Sequence, residues 1–187
     1  MRHPRFLSAA RPFAIAAAAL TAVIVAGPVT AGVEQLPGVE RLPGDGSPAF
    51  RVIVPDGWST ARDDVGNLRM MAADKSGAVV LNLVAHPAVA GADLDQVAAE
   101  SLKVAKAEPF AAAEDAMVDG HPGRAYVSRV VTSSGTLAIR LVLVRLDDTH
   151  LASETQLLRA DASPAQAQAL REAIGGVRLV DRPPAQT

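Results

Sequence analysis

The chain has 187 residues, 18 basic against 20 acidic side chains and no cysteine, with 49% hydrophobic and only 3% aromatic residues. Without cysteine, thiol catalysis, disulfide exchange and cysteine-ligated metals are excluded, and stability must come from an aliphatic core. The mild acidity argues against nucleic acid or an anionic membrane surface as partner, since both require clustered Lys and Arg.

Residues 1–31 read as a secretory signal peptide. Arg2, Arg5 and Arg11 form a basic n-region, Ala14 to Ala26 is apolar except for Thr21, and Gly27-Pro28 breaks the run. Val29-Thr30-Ala31 offers the small side chains a signal peptidase reads, so cleavage is expected between Ala31 and Gly32. A spanning helix wants about 20 apolar residues, and this run is shorter. There is no Arg-Arg pair and no cysteine to be lipidated. The expected product is periplasmic or secreted, free of a stable membrane anchor, with 15 basic and 20 acidic residues remaining.

Residues 32–48 read as a Pro/Gly-rich linker carrying a tandem hexapeptide, Val33 to Gly38 and Val39 to Gly44. It is either a plain spacer or a docking peptide. The folded domain is expected over 49–180, with a loose tail at 181–187.

Phe50 to Val54 reads as a strand stopped by Pro55-Asp56-Gly57, with Trp58 following. Leu68 to Ala73 and Ala78 to Ala85 are further strands, separated by a turn at Ser76-Gly77 and ended by His86-Pro87. Asp93 caps a helix, with Gln96 placed to complete a capping box. Leu94, Val97, Ala98, Leu102 and Ala105 share its apolar face, Asp95, Glu100, Lys103 and Lys106 its wet one, and Pro109 limits it.

Ala116 to Val118 leads through a tight connection at 119–123 into a strand from Arg124 to Thr132. Ser133-Ser134-Gly135 makes a hairpin into Leu137 to Arg145. That strand is apolar on both alternating sets, so both its faces are covered. Asp147-Asp148 turns the chain into a strand from His150 to Leu158. Ser163, Pro164 and Gln166 open a second helix ended by Gly175, and Val177 to Val180 closes the domain. Hairpins imply an antiparallel sheet, and two amphipathic helices must pack on it, giving an α+β layered domain.

The strand running at once into Pro55-Asp56-Gly57-Trp58 resembles the opening of PsbP-like domains, a superfamily that includes bacterial periplasmic proteins of unknown function and the eukaryotic Ran-binding nuclear import factor. The turn in Val118 to Arg124 before two long hairpin strands, and the closing helix that feeds Ile174 to Leu179, are similar to theirs. Val177-Arg178 stand where the family commonly has Ser-Phe. The resemblance spans about residues 48–180. It implies a three-layer α/β/α sandwich around a mostly antiparallel sheet, and a binding role with no catalytic set to transfer.

The residues themselves show no catalytic, metal or cofactor motif. His86, His121 and His150 are dispersed and form no short-spaced ligand pair. No GxSxG occurs, and Ser133-Ser134 fits a hairpin tip. Asp63-Asp64 and Asp147-Asp148 are adjacent acids in turns, which point apart. Trp58 either plugs the core or lines a partner or ligand groove. Arg129 and Arg140 are able to meet across the 133–135 hairpin, as solvent-facing strand residues or as a binding face for an anionic partner. The function expected is that of an exported non-catalytic accessory or interaction domain whose partner, an envelope protein or a small ligand, the sequence does not identify. The alternative is a carrier of a small apolar ligand.

Overall fold

A computed structural model describes residues 40–42, 49–62 and 67–180. The signal segment, residues 32–39 and 43–48 of the linker, the Asp63-Asp64 pair and the tail at 181–187 lie outside the described residues.

In chain order the strands are β1 (Glu40–Leu42), β2 (Ala49–Val52), β3 (Trp58–Arg62), β4 (Leu68–Ala72) and β5 (Gly77–Ala85). A short helix α1 (Pro87–Ala90) and the longer α2 (Leu94–Val104) follow. Then come β6 (Ala112–Val118), β7 (His121–Thr132), β8 (Gly135–Arg145), β9 (His150–Arg159), α3 (Pro164–Gly175) and β10 (Val177–Val180). Seven strands form one antiparallel sheet in the order β3-β4-β5-β9-β8-β7-β6. The two helices after β5 carry the chain to the far edge, and β6 to β9 then meander back to pair with β5.

Local chemistry explains the connections. Asp119 and Gly120 both have positive φ, 47° and 85°, as the tightest hairpin turn demands. That turn is shorter than the residue types suggest, and β7 begins at His121 rather than Arg124. Gly123 lies inside β7 because a Cβ there would run into the Leu143 carbonyl. The box at Ser163 and Gln166 forms with both its bonds, 3.3 and 2.7 Å.

Helix α2 differs from expectation at both ends. Asp93 Oδ1 accepts from the Asp95 N–H at 2.8 Å instead of forming a box with Gln96. The helix stops before Pro109 acts: Lys106 turns left-handed at φ 55°, its N–H bonds to the Lys103 carbonyl, and the Ala107 N–H bonds to that of Leu102. This is a Schellman ending with lysine in the position glycine usually takes.

Three layers result. On one face of the sheet α2 lays Val97, Ala98 and Leu102 against Tyr126, Ile139, Leu141 and Leu143. On the other face α3 contributes Leu170 and Ala173, and β2 and β10 contribute Phe50, Val52, Val177 and Leu179. Strands β2 and β10 do not enter the main sheet. They pair with each other, Val177 opposite Val52 and Leu179 opposite Phe50, with β1 on the free side of β2. The strand of 40–42 thus falls within the segment read as linker. Gly176 permits the close passage of this unit, since a Cβ would come 2.7 Å from the Ile53 carbonyl oxygen.

Candidate functional site

The two covering layers are offset. Helix α3 packs over β5 and β9, and β10 reaches the end of β6. The outer stretches of β6, β7 and β8 keep their α3-side face open to solvent. Register places Val127 opposite Arg140, and Arg129 opposite Ala138. Arg129 and Arg140 therefore share this face as diagonal neighbours, the juxtaposition across the hairpin that their spacing suggested. Between and beyond them Val127 is 41% exposed and Val131 74%. The outcome is a mixed surface on which the exposed valines alternate with the charged pairs.

Each arginine has a carboxylate partner. Arg129 Nε lies 2.6 Å from Glu108 Oε2. Arg140 passes over β7 to reach Glu114 on β6, with Nη2 at 3.2 Å and Nε at 3.4 Å from Oε1. Two opposed pairs leave the face close to neutral, so it is not a strongly basic anion site.

At the margin of the cover stands Glu154, on the central strand β9. It is 4% exposed and accepts a 2.6 Å hydrogen bond from Gln156 Nε2. Register sets Glu154 opposite Val142 and Leu81, and Gln156 opposite Arg140. Burial pushes the carboxyl pKa up, and the Gln156 bond and the nearby Arg140 charge pull it partly back. Sequence reasoning passed over Glu154, Gln156 and Glu114. The signal was present: Ser153 to Gln156 is a polar run inside a strand, and if that strand is central at least one of its side chains must be buried.

The other candidates fall elsewhere. Trp58 is 6% exposed and belongs to the core on the α3 side. Ser133 and Ser134 form the exposed hairpin tip. His86, His121 and His150 reach the same end of the sheet. His86 Nδ1 accepts from the Ala88 N–H at 3.2 Å, and His150 Nδ1 lies 2.9 Å from Asp147. Asp147 also accepts from Thr149 and from the His150 backbone, and the Thr149 hydroxyl foremost lowers its pKa to about 2. This is a capped turn. Among the described residues no three of His, Asp and Glu converge to hold a metal ion.

On the α2 side the Tyr126 hydroxyl donates to Asp95 Oδ1 at 2.7 Å, and Arg124 Nε stands 3.2 Å from the same atom. Asp95 thus turns its carboxylate to the sheet rather than wholly to water. Burial, then the bond to Asp95, raises the Tyr126 pKa.

The same architecture occurs in cyanobacterial PsbP (CyanoP) from Synechocystis, in solution, at a TM-score of 0.55 and 12% identity, covering 82% of this chain and all of that one. The fold is PsbP-like. A second PsbP-like match is LpqN, involved in cell envelope biogenesis of Mycobacterium tuberculosis, at a TM-score of 0.50 and 16% identity over 76% of this chain and 91% of that one. A Bacteroides thetaiotaomicron protein matches at 0.50 and 11% over 73% of this chain and 46% of its own length. No protein-family model and no curated protein matches the sequence. Within this PsbP-like fold the open face is formed by β6, β7 and β8, with Arg129 and Arg140 side by side upon it.

Proposed function

We propose that this chain is an exported, non-catalytic interaction domain of the cell envelope, and that its partner is an envelope protein that docks on the open stretch of β6, β7 and β8. The observation that carries this reading is the pair of exposed valines, Val127 and Val131, set among paired charges on the stretch of sheet that α3 leaves open. Exposed apolar side chains interleaved with paired charges suit a protein contact, in which the valines would be buried and the charges would select the partner. Support for the compartment comes from the basic, apolar and small-residue order of residues 1–31 and from the fold shared with LpqN, a protein involved in cell envelope biogenesis. No helix among the described residues is long and apolar enough to cross a membrane. Surface binding is favoured over carriage of an apolar ligand because Tyr126, Leu102, Ile139 and Leu143 already fill the space between sheet and α2.

The test is a comparison of the wild-type protein with Val131→Asp by cross-linking in the native envelope. The wild type is expected in the extracellular or periplasmic fraction beginning at Gly32, joined to a partner that Val131→Asp loses without a change in its own melting temperature. Partner capture unaffected by Val131→Asp and Val127→Asp would move the binding surface elsewhere. Turnover of an ester, peptide or glycoside in a broad screen would overturn the non-catalytic reading.

A further inference from the structure

We propose that Glu154 is a proton-controlled switch for Arg140. With the Glu154 carboxyl neutral, Arg140 pairs with Glu114 at the surface; with Glu154 ionised, the guanidinium swings inward and Glu114 is released. The functional meaning rests on the docking reading above, because Glu114 and Arg140 lie on that face.

The geometry poses a conflict over one cation. An ionised carboxylate can accept about four hydrogen bonds, and buried Glu154 has the one from Gln156 among the described bonds. A buried charge needs an opposite charge or its proton. Arg140 is diagonal to Glu154 across the β8–β9 ladder, on the same face, and its side chain is 36% exposed. Its bonds to Glu114 are long, and Glu114 is itself 58% exposed, so that pair is screened and weak. Coulomb attraction is stronger at the less solvated site, so an ionised Glu154 outcompetes Glu114 for the guanidinium. The proton released goes to solvent and no covalent bond changes.

Arg140 is the cation placed to answer. On the same face Arg129 is held by Glu108, and Arg62 occupies the far edge of the Glu154 row on β3. His150 lies two rows down on β9 beside Asp147. Helix α3 turns Leu170 and Ala173 inward and leaves Arg171 and Glu172 exposed. Strands β2 and β10 likewise present Phe50, Val52, Val177 and Leu179 inward, with Arg51 and Arg178 outside. Ionisation therefore adds a negative charge to this face and exposes Glu114, which favours a cationic segment of the partner at higher pH.

Isotope-labelled protein, purified as the host exports it, is titrated from pH 3 to 9 by NMR, following the Arg140 Nε–Hε signal and the side-chain carboxyl carbons of Glu154 and Glu114. The expected result is a shift of Arg140 whose midpoint coincides with that of Glu154 and vanishes in Glu154→Gln. Glu114→Gln should alter the low-pH position of Arg140 and keep the transition. Arg140→Gln, which leaves the buried carboxyl in place, should move the Glu154 midpoint upward. An Arg140 transition that persists in Glu154→Gln without following the Glu114 carboxyl carbon, or a Glu154 midpoint indifferent to Arg140→Gln, overturns the switch. Because the protein is measured alone, failure here is distinct from failure of the docking face, which the valine variants report.

Discussion

At the residue scale, two carboxyls push stability in opposite directions with pH. Asp147 has its native pKa lowered from 3.8 to about 2, so its contribution is present above 3.8 and is lost as pH falls toward 2. The group is largely exposed, so screening cuts its worth to about 0.5–1 kcal/mol. Denaturant melts of Asp147→Ala should show that loss at pH 6 and none near pH 1.5. Glu154 has the opposite sign. Its native pKa is raised above the unfolded 4.5 by burial, so its contribution is full below 4.5 and lost as pH rises through the native value. Glu154→Gln should therefore be more stable relative to wild type at pH 8 than at pH 4. A difference between the two that stays constant with pH would show that the carboxyl is solvated rather than buried.

At the scale of the element, α2 ends on a lysine where the backbone favours glycine. A non-glycine residue in the left-handed region carries a steric penalty of about 1 kcal/mol, and Lys106 has φ 55° with both Schellman bonds in place. Lys106→Gly should raise stability by about 0.5 kcal/mol, the relief of strain being partly offset by the extra freedom of glycine in the unfolded chain. A fall in melting temperature would show that the lysine side chain does more than cap. Edge strand β6 shows a second device. Glu114 and Asp115 put an acid on each face of the exposed edge, so two copies meeting edge to edge bring like charges together.

For the whole molecule, the decisive fact is that the central strands are covered twice over. Leu141 faces α2 at 3% exposure while its neighbour Val142 faces the opposite layer at 1%. Leu141→Ala should cost about 2–5 kcal/mol, read from the shift in denaturant midpoint. A cost near zero would mean that the α2 layer closes over the gap or never packed. Covering both faces with offset layers is also what creates the open stretch. Helix α3 sits over β5 and β9, and nothing in the described fold lies over Val131, whereas β8 on its other side is capped by α2.

The legible part was local. Apolar runs bounded by turn residues marked β5, β8 and β9, Asp119-Gly120 and Ser133-Ser134 marked hairpins, and Ser163 with Gln166 marked the start of α3, because each signal acts between residues a few positions apart. Composition alone excluded thiol chemistry and cysteine-bound metal. The tertiary structure decided what period two leaves degenerate: alternation separates two faces of a strand but does not say which layer covers each, or how far. So β2 and β10, from opposite ends of the domain, left the sheet to pair with each other, Arg140 found Glu114 on a strand two places away, and Glu154 became buried only because β9 was inserted between β5 and β8. Those outcomes depend on the free energy of burying whole faces against distant partners, a quantity that no short window of sequence contains.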